Sequence, residues 1–350
     1  MEKLRWGVIG AVGIADTRTI PGILEARNAE LVALTARTPE RAEQLRRKHG
    51  AKRAYTSEEE LLRDPEVDAV YIATPVAEHY REGTLATQAG KHILMEKPLT
   101  VSADETKALI DCCEAHKVAF GAGFMMRFGT HVQSMRRAVL DGRIGTVLSG
   151  TANFTLWMPY QSGVWRLQKK NGGGALMDMG IHCLDLISFI TGMRVTEVAA
   201  MNENVLFRDP GYEVEDSSAV LLRMENGAQF FVQSSFNIPY AEAKWHLNLF
   251  GSKGRLMGDN ILGQEDTGTL NLIDADMLPT LDPRPQTGYG QGRMCPAVFG
   301  NLYTREIESF SESVLCGTPL EVPATQALEV QRVVDAAYRS SREKRIISLL

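Results

Sequence analysis

Short apolar runs alternate with amphipathic, helix-like segments between residues 4 and 123. The length of these runs and their β-branched content predict strands, and the runs are LRWGVIG, AELVALTA, DAVYIAT, KHILMEK and VAFGAGF. Strands that alternate with helices predict a parallel, doubly wound sheet with right-handed crossovers. We therefore expect an α/β domain over residues 1–123.

Capping residues mark the starts of the helices between these strands. Thr38 offers a side-chain cap, Pro39 suits the first helical position, and Gly50 suits the end of the same helix. Two further helices should begin with the reciprocal side-chain pairs of a capping box, which are Ser57 with Glu60 and Ser102 with Glu105.

After about residue 124 strands dominate the pattern. Asn226-Gly227, between two of them, predicts a type I′ hairpin. The predicted strands are TVLSGTANFTLW, RVTEVAAMNENV, SSAVLLRM, AQFFVQSSFN, KWHLNLFGS and GTLNLI, and predicted helices lie near 130–141, 299–316 and 324–343. We expect a second domain over 124–350, of α+β class with a large, mostly antiparallel sheet. The composition of residues 282–294 suggests a loop that could act as a flap.

Composition narrows the function classes. A chain of 350 residues favours two domains, and a net charge of −5 gives no basic surface for nucleic acid or anionic lipid. By its sequence pattern, no apolar run is expected to approach the roughly 20 residues of a membrane span, so no membrane partner is expected. The cysteines are five in number and form no C-x-x-C pair, which favours free thiols and a cytoplasmic location.

The first predicted strand leads directly into the sequence GAVGIA, residues 10–15. A dinucleotide-binding turn needs glycine where the chain bends and where backbone N–H groups approach a pyrophosphate. Gly10 and Ala15 occupy the outer positions of that pattern, Val12 takes the place of its middle glycine, and Gly13 with Ile14 completes the turn. The alternative is a purely structural turn. Its position as the first strand-to-helix connection favours a cofactor site.

The end of the second strand is where an acid binds the adenine ribose of NAD. This sequence has Ala36-Arg37-Thr38 there instead. Arg37 could stack on adenine and pair with a 2′-phosphate, and the alternative is a solvated surface arginine. The residues therefore predict a preference for NADP(H), with NAD(H) as the second choice.

The sequence GGGALMDMGIHCLDL, residues 172–186, predicts a helix led by three glycines. Positions i, i+4 and i+7 would place Asp178, His182 and Asp185 on one helical face. A metal site, a buried structural histidine and an acid/base pair each explain that face. The single histidine argues against a metal, so no metal is predicted, and Asp185 could simply pin the helix to a neighbouring loop.

The motif Met95-Glu96-Lys97-Pro98 and the D-x-x-x-H pair in GGGALMDMGIHCLDL, together with the glycine turn, resemble the Gfo/Idh/MocA oxidoreductases. The resemblance covers nearly the whole chain and implies an N-terminal Rossmann domain. It also implies that Lys97 contacts substrate and nicotinamide ribose and that His182 is catalytic with Asp178 as its acidic neighbour.

The family's T-P-N-x-x-H motif appears here as TPVAEH, residues 74–79. Thr74, Pro75 and His79 are thereby implied at the cofactor, with Glu96 beside Lys97, and Val76 replaces the motif's asparagine. This departure resembles the branch that contains 1,5-anhydrofructose reductase and sugar ketoreductases, which tend to use NADP.

The chemistry of alcohol oxidation suits these residues. Hydride loss from a secondary alcohol leaves a proton that a side chain with a pKa near neutrality can carry, and His182 is such a group. The Lys97 ammonium, at the carboxyl edge of the sheet, can stabilise charge on oxygen, and Pro98 is expected to form a rigid turn, for which a cis bond is one option.

The segment WMPYQSGVWRLQKKN, residues 157–171, is the expected substrate loop. Aromatic faces beside hydrogen-bonding groups suit a sugar ring, although Trp157 and Trp165 could instead form a local core. The predicted substrate contacts are Lys97, Arg127, Trp157, Tyr160, Trp165, Arg166, Asp178 and His182.

The leading hypothesis is an NAD(P)-dependent dehydrogenase or reductase of a sugar or cyclic polyol. One alternative is redox-assisted cleavage of a glycoside with retained NAD, and another is a ligand-sensing regulator on the same fold. The mixed strand faces QFFVQSS and HLNLF also suggest a homodimer or homotetramer formed through sheets.

Overall fold

The computed structural model describes residues 2–239, 245–274, 292–298 and 300–349. The strands are β1 (Leu4–Ile9), β2 (Ala29–Thr35), β3 (Arg53–Tyr55), β4 (Ala69–Ile72), β5 (His92–Glu96), β6 (Phe120–Gly123), β7 (Val147–Thr155), β8 (Val195–Glu203), β9 (Ser217–Met224), β10 (Gln229–Ser235), β11 (His246–Gly251), β12 (Gly254–Asp259), β13 (Thr269–Ile273), β14 (Arg293–Cys295) and β15 (Ile347–Ser348). The α-helices are α1 (Ile20–Glu25), α2 (Pro39–His49), α3 (Glu58–Leu62), α4 (Val76–Gln88), α5 (Ala103–Ala115), α6 (Thr130–Leu140), α7 (Ile181–Thr191), α8 (Leu302–Cys316) and α9 (Ala324–Glu343). Most of the predicted flap at 282–294 lies outside the described residues.

The chain forms two compact units. The first contains Met1–Met125, Lys170–Gly172 and Asn301–Gln331, and the second contains Met126–Lys169, Gly173–Gly300 and Arg332–Leu350. The predicted domain over 124–350 therefore differs from the second unit, because Asn301–Gln331 and the short segment Lys170–Gly172 belong to the first unit.

The reason lies in the core of the first unit. Trp6 on β1 is fully buried, its ring lies 5.3 Å from that of Phe310, and its indole N–H donates to the Ser311 hydroxyl at 3.1 Å. Ile307 is part of the same core. Helix α8 thus buries its apolar side against β1 and belongs to the first unit.

The sheet of the first unit has six strands in the order β3-β2-β1-β4-β5-β6, and the pairs along it are parallel. This strand order is that of the Rossmann fold, in which ligands bind outside the carboxyl ends of the strands. The predicted fold class is therefore confirmed.

The predicted caps of three helices are present. The side-chain oxygens of Thr38, Ser57 and Ser102 each accept a hydrogen bond from the backbone N–H three residues further on. Gly50 closes α2 with a φ of 70°, in the left-handed region that glycine adopts readily.

The second unit is built on a nine-stranded sheet in the order β14-β13-β12-β11-β7-β10-β9-β8-β15. Most of its pairs are antiparallel, and β10 pairs with β7 in parallel. This arrangement confirms the predicted mostly antiparallel sheet of an α+β domain.

The hairpin between β9 and β10 is present, but its predicted turn type is wrong. A type I′ turn needs a positive φ at both central residues, whereas among the described residues of this loop only Gly227 has one, at 88°. Gly227 N–H bonds the Met224 carbonyl and Met224 N–H bonds the Ala228 carbonyl. The loop is therefore a turn followed by a left-handed glycine, and it holds one residue more than predicted.

One stretch, Lys169–Thr191, is long and apolar enough to cross a membrane by length and composition alone. The expectation that no apolar run reaches such a length is therefore wrong. Nearly all of its apolar part is buried inside the protein, as in the core helix of a globular domain.

Candidate active site

The turn after β1 has the backbone geometry of a phosphate-binding loop. Gly10 and Gly13 have φ values of 77° and 58°, which other residues rarely adopt. A Cβ added to Gly10 would lie 2.7 Å from the Thr74 methyl group, so this turn packs against the loop that follows β4. A Cβ added to Gly13 would meet nothing within 4 Å. The turn is thus fixed on one side and open on the other, as a pyrophosphate group requires.

The remaining residues of the turn complete this shape. Val12, in the place of the usual middle glycine, is 45% exposed, so its side chain does not fill the turn. Ile14 precedes a π-helical segment, Ala15–Thr19, that continues into α1, and Ala15 is fully buried. The backbone therefore enters a helix directly after the turn, at the end where N–H groups attract an anion.

The structure places no carboxylate at the end of β2. Ala36 is buried, Arg37 is exposed, and the Thr38 hydroxyl caps α2 by accepting the Arg41 N–H at 3.3 Å. Thr38 therefore has a structural role as a cap, and Arg37 is the charged side chain of this segment that faces solvent.

The loop after β4 is held by buried polar groups on α4. The Thr74 hydroxyl donates to the Glu82 carboxyl at 2.5 Å, and the Thr74 carbonyl lies 2.9 Å from His79 Nε2. His79 Nδ1 lies 3.1 Å from the Pro98 carbonyl. His79 is 1% exposed, so the structure gives it a positioning role in place of the predicted direct contact with cofactor. Pro75, also predicted at the cofactor, forms the start of α4.

These bonds join two turns at one edge of the sheet. His79 connects the loop that contacts Gly10 with the Lys97–Pro98 turn, whose peptide bond is cis. Burial lowers the pKa of His79, and burial raises the pKa of Glu82 to about 7.

Lys97 follows β5 at the carboxyl edge of the parallel sheet. Glu96, the last residue of β5, accepts the Tyr71 hydroxyl at 2.6 Å and the Lys97 backbone N–H at 3.2 Å. Glu96 is 8% exposed, so its carboxyl supports the lysine turn from below the surface. This arrangement fits a positioning role for Glu96, which was predicted at the cofactor.

The three glycines at 172–174 allow close packing before the helix. Gly172 and Gly174 have φ values of 71° and 127°, and a Cβ on Gly173 would collide with the Arg166 carbonyl. The helix starts as a π-helical segment, Leu176–Gly180, and continues as α7. Such π-helical segments are rare and often lie at functional sites.

Asp178 lies in the π-helical segment and is 6% exposed. Its carboxylate accepts the Arg166 Nε–H at 2.9 Å, and the Arg166 guanidinium lies over the Trp165 ring, 4.6 Å from its centroid. Three of the predicted substrate residues, Trp165, Arg166 and Asp178, are therefore brought together in the second unit.

His182 is 3% exposed, and its imidazole lies edge-on to the Phe154 ring at 6.0 Å. Asp185, further along α7, instead binds Arg127 through several hydrogen bonds, the shortest 2.5 Å, and both side chains are almost fully buried. Asp178 and Asp185, predicted on one face with His182, therefore pair with two different arginines, Arg166 and Arg127.

Arg127, which was predicted to contact substrate, is 2% exposed. Its guanidinium is committed to Asp185 and also lies 4.8 Å from the Phe189 ring centroid. The pair joins α7 to the segment before α6, which is the pinning role considered for Asp185.

The aromatic residues of the predicted substrate loop differ in packing and exposure. The Trp157 ring packs on Phe207 at 5.1 Å, and Phe207 stacks on the buried Tyr212 at 5.2 Å. This contact favours the local-core interpretation for Trp157. Tyr160, in contrast, is 43% exposed.

A metal site needs several potential ligands close enough together to hold an ion. In the described ranges, no group of three His, Cys, Asp or Glu side chains is placed to hold a metal ion. The Asp178 carboxylate accepts a hydrogen bond from the Arg166 guanidinium, which is not a metal ligand.

Sequence reasoning missed several polar residues that support the site. Glu82 shares a buried face of α4 with His79, and their spacing of three positions was the available signal. Glu215 accepts the Leu176 N–H and the Tyr338 hydroxyl, each at 2.9 Å. These two partners are distant from Glu215 along the chain, and no local pattern indicates them.

A parallel sheet with a glycine turn and a lysine at its carboxyl edge defines a dinucleotide-binding oxidoreductase. Residues 4–124 match the model of an oxidoreductase family with an NAD-binding Rossmann fold, and residues 132–257 match the GFO/IDH/MocA C-terminal domain. The chain belongs to the Gfo/Idh/MocA family, as its motifs predicted, and is an NAD(P)-binding oxidoreductase.

Known proteins are similar over nearly the whole chain. The 1,5-anhydro-D-fructose reductase of Ensifer adhaerens is 32% identical over 89% of this chain and 88% of its own length. A D-xylose 1-dehydrogenase (NADP(+)) of Haloferax volcanii is 30% identical over 99% and 100%. The structure of an aldose-aldose oxidoreductase from Caulobacter crescentus superposes with a TM-score of 0.86 at 25% identity, covering 99% of this chain and 100% of that one.

Proposed function

We propose that this protein is a dehydrogenase or reductase of a sugar or cyclic polyol that prefers NADP(H). The observation that carries the proposal is the carboxyl edge of the first sheet. There the open glycine turn at Gly10 and the Lys97–Pro98 turn are tied to the same Thr74 loop, so that the dinucleotide turn and the lysine share one edge. Relatives named as sugar reductases and dehydrogenases support the substrate class.

The cofactor fits the first unit at the turn after β1. The open side of Gly13 and the backbone of Val12, Ile14 and Ala15 would hold the pyrophosphate, and Arg37 would pair with a 2′-phosphate. The bound nicotinamide would supply or accept the hydride. All other steps belong to side chains of this chain.

His182 is the proposed proton carrier. Its imidazole would take the proton from the substrate hydroxyl during oxidation and return it to the carbonyl oxygen during reduction. Asp178, held by Arg166 at 2.9 Å, would fix the polar surroundings of the reacting hydroxyl. Lys97 would donate to a substrate oxygen and to the nicotinamide ribose, which favours charge on that oxygen.

Substrate contacts beyond these residues would come from Tyr160, Trp165 and Arg166. The half-buried Trp165 ring with the Arg166 guanidinium over it offers an apolar face beside donors, which suits a sugar ring. Trp157 is not included, because its ring packs on Phe207.

The test is a panel of sugars, ketosugars and cyclic polyols, assayed by nicotinamide absorbance with NADP(H) and with NAD(H). We expect net, substrate-dependent turnover that is faster with NADP(H). Product formation without net cofactor turnover would instead support redox-assisted cleavage with retained NAD. Tight ligand binding without any product would support a regulator.

We also propose a homo-oligomer and a cytoplasmic location. Large apolar residues are exposed on four strands of the second sheet, β8, β9, β10 and β11: Met201, Leu221, Phe231 and Phe250. Phe231 lies directly opposite Leu221 in the register, so the two form a continuous patch, and such patches mark protein interfaces. The free state of all five cysteines is in keeping with a reducing compartment.

A further inference from the structure

We propose that Glu215 and Tyr338 are positioning residues that cap the helix carrying Asp178 and His182. Here the catalytic helix means the continuous segment Leu176–Thr191. The inference rests on the proposed function only in that it takes Asp178 and His182 as the reacting groups.

The catalytic helix begins without a side-chain cap of its own. Its N-cap residue is Ala175, which has no hydrogen-bonding side chain, so the first N–H groups need acceptors from elsewhere. The Leu176 N–H donates to Glu215 Oε1 at 2.9 Å. The Tyr338 hydroxyl donates to the same Glu215 oxygen at 2.9 Å. A carboxyl from a distant part of the chain, itself held by a phenol, therefore replaces the missing cap.

Gly174 is shaped for this cap. Its φ is 127°, and an added Cβ would lie 2.6 Å from Glu215 Oε1 and 2.7 Å from the Tyr338 hydroxyl. Only glycine lets the backbone pass this close to both groups. The Ala175 N–H also donates to the Glu215 carbonyl at 3.3 Å, so main chain and side chain of one residue hold the turn.

The capped turn leads directly to the reacting groups. The Asp178 N–H donates to the Gly174 carbonyl at 2.9 Å, and the Asp178 carboxylate meets Arg166 in the same unit. Loss of the Glu215 acceptor leaves the Leu176 N–H unpaired, which favours opening of this first turn. Asp178 would then leave Arg166, and His182, one turn further, would lose its fixed position.

The experiment compares Glu215→Met with Glu215→Gln. Methionine removes the acceptor at similar size, whereas glutamine keeps an Oε1 that can accept both bonds. Glu203→Met, at an exposed position on β8, is the matched control, and Tyr338→Phe removes the hydroxyl alone. Hydrogen–deuterium exchange of the peptide over 174–182 is measured without ligand, and kcat, the KM for the sugar and the Kd for NADP(H) are measured with it.

We expect Glu215→Met to speed exchange over 174–182 and to lower kcat, each by about tenfold, the size of a lost cap. The Kd for NADP(H) should not change, because the cofactor turn lies in the first unit. Glu215→Gln and Glu203→Met should behave like wild type, and Tyr338→Phe should fall between.

Wild-type exchange in both Glu215→Met and Tyr338→Phe would overturn the proposal. Equal loss of kcat in Glu215→Gln would also overturn it, because that variant keeps the acceptor. If Glu215→Met does not fold, the exchange rate over 174–182 in Tyr338→Phe decides whether the proposal holds. If the wild type turns over no sugar, the proposed function fails, while the exchange comparison still decides the cap.

Discussion

Arg127 and Asp185 show how burial changes the meaning of a charged residue. From the sequence, Arg127 is a candidate substrate contact and Asp185 shares a face with Asp178 and His182. In the structure both side chains are at most 2% exposed and bind each other. A buried charge needs a partner, and Arg127 and Asp185 supply one for each other. A side chain in a binding site must also reach its ligand, which these buried side chains do not do. We therefore interpret the pair as a structural element of the second unit.

Breaking this pair should cost stability. Arg127→Met should lower the free energy of unfolding by about 3–5 kcal/mol, because it leaves a buried carboxylate without its partner. The double variant Arg127→Met/Asp185→Leu should recover most of the loss. Arg194→Met, which breaks the exposed pair with Glu225, is the control and should cost at most about 1 kcal/mol. Denaturant unfolding measures all three, and an Arg127→Met variant as stable as the control would contradict this account.

We propose that the choice between NADP(H) and NAD(H) depends on Arg37. Arg37→Ala should weaken NADP(H) binding by roughly tenfold or more, since a bidentate charged contact is lost, and should leave NAD(H) binding nearly unchanged. Arg47→Ala, on an exposed arginine of α2 that pairs with Glu43, is the matched control. Titration of both cofactors measures the difference. An equal loss for both, or a wild type that prefers NAD(H), would refute the NADP assignment.

Single residues were predictable where a local rule applies. Gly10 and Gly13 follow from the strand-to-helix turn, and Arg37 follows from its place after β2. His79 was expected to touch the cofactor, and its place beside the Lys97–Pro98 turn was not predicted. Its burial and its bonds to the Thr74 and Pro98 carbonyls depend on tertiary contacts that no local pattern encodes.

Elements were predictable where capping and periodicity agree. The caps Thr38, Ser57 and Ser102 begin helices as expected. Strand β12 was not predicted, because its glycines Gly254 and Gly258 lower the strand signal and its pairing with β11 and β13 sustains it. The π-helical start of the catalytic helix was not predicted either, since it depends on packing around the glycines and Glu215.

Helix α4 carries a buried carboxyl whose ionisation should be visible in stability. Burial raises the pKa of Glu82 from 4.5 to about 7, so the folded state binds its proton more tightly than the unfolded state. The stability that this gives is full below about pH 4.5 and is lost as the pH rises to 7. The polar and charged groups that act on the Glu82 carboxyl are Thr74, Glu58, Glu78 and Arg81.

Glu82→Gln removes this titration. Relative to wild type, the variant should gain stability as the pH rises from 5 to 8, by on the order of 2 kcal/mol. Glu78→Gln, on the exposed side of the same helix, is the control and should follow the wild-type curve. Denaturant unfolding across this pH range gives the difference, and parallel curves for wild type and Glu82→Gln would show the assignment to be wrong.

At the scale of the whole molecule, the fold class followed from the alternation of strands and helices, but the division of the chain did not. Residues Asn301–Gln331 return to the first unit because Ile307 and Phe310 complete its core. A periodic helix pattern shows which side of α8 is apolar, yet it does not say which core receives it.

The proposed interface on the exposed face of the second sheet can be tested through the oligomeric state of the protein. If Leu221 and Phe231 lie in an interface, Leu221→Lys should convert the oligomer to monomers, because an unpaired charge would be buried there. Leu140→Lys, at an exposed leucine that ends α6, is the matched control. Light scattering after size-exclusion chromatography measures the mass. A monomeric wild type, or an unchanged oligomer in Leu221→Lys, would contradict the proposed interface.

We propose that this Gfo/Idh/MocA protein moves a hydride with His182 as its proton carrier. The most direct test is the pH dependence of kcat and kcat/KM for His182→Ala beside wild type, with the Kd for NADP(H) measured in parallel. We predict that both kinetic constants fall by roughly two to four orders of magnitude and lose the limb of a histidine-like group, while NADP(H) binding is kept. A near-normal kcat in His182→Ala, or turnover that a chelator abolishes and a divalent ion restores, would contradict the account.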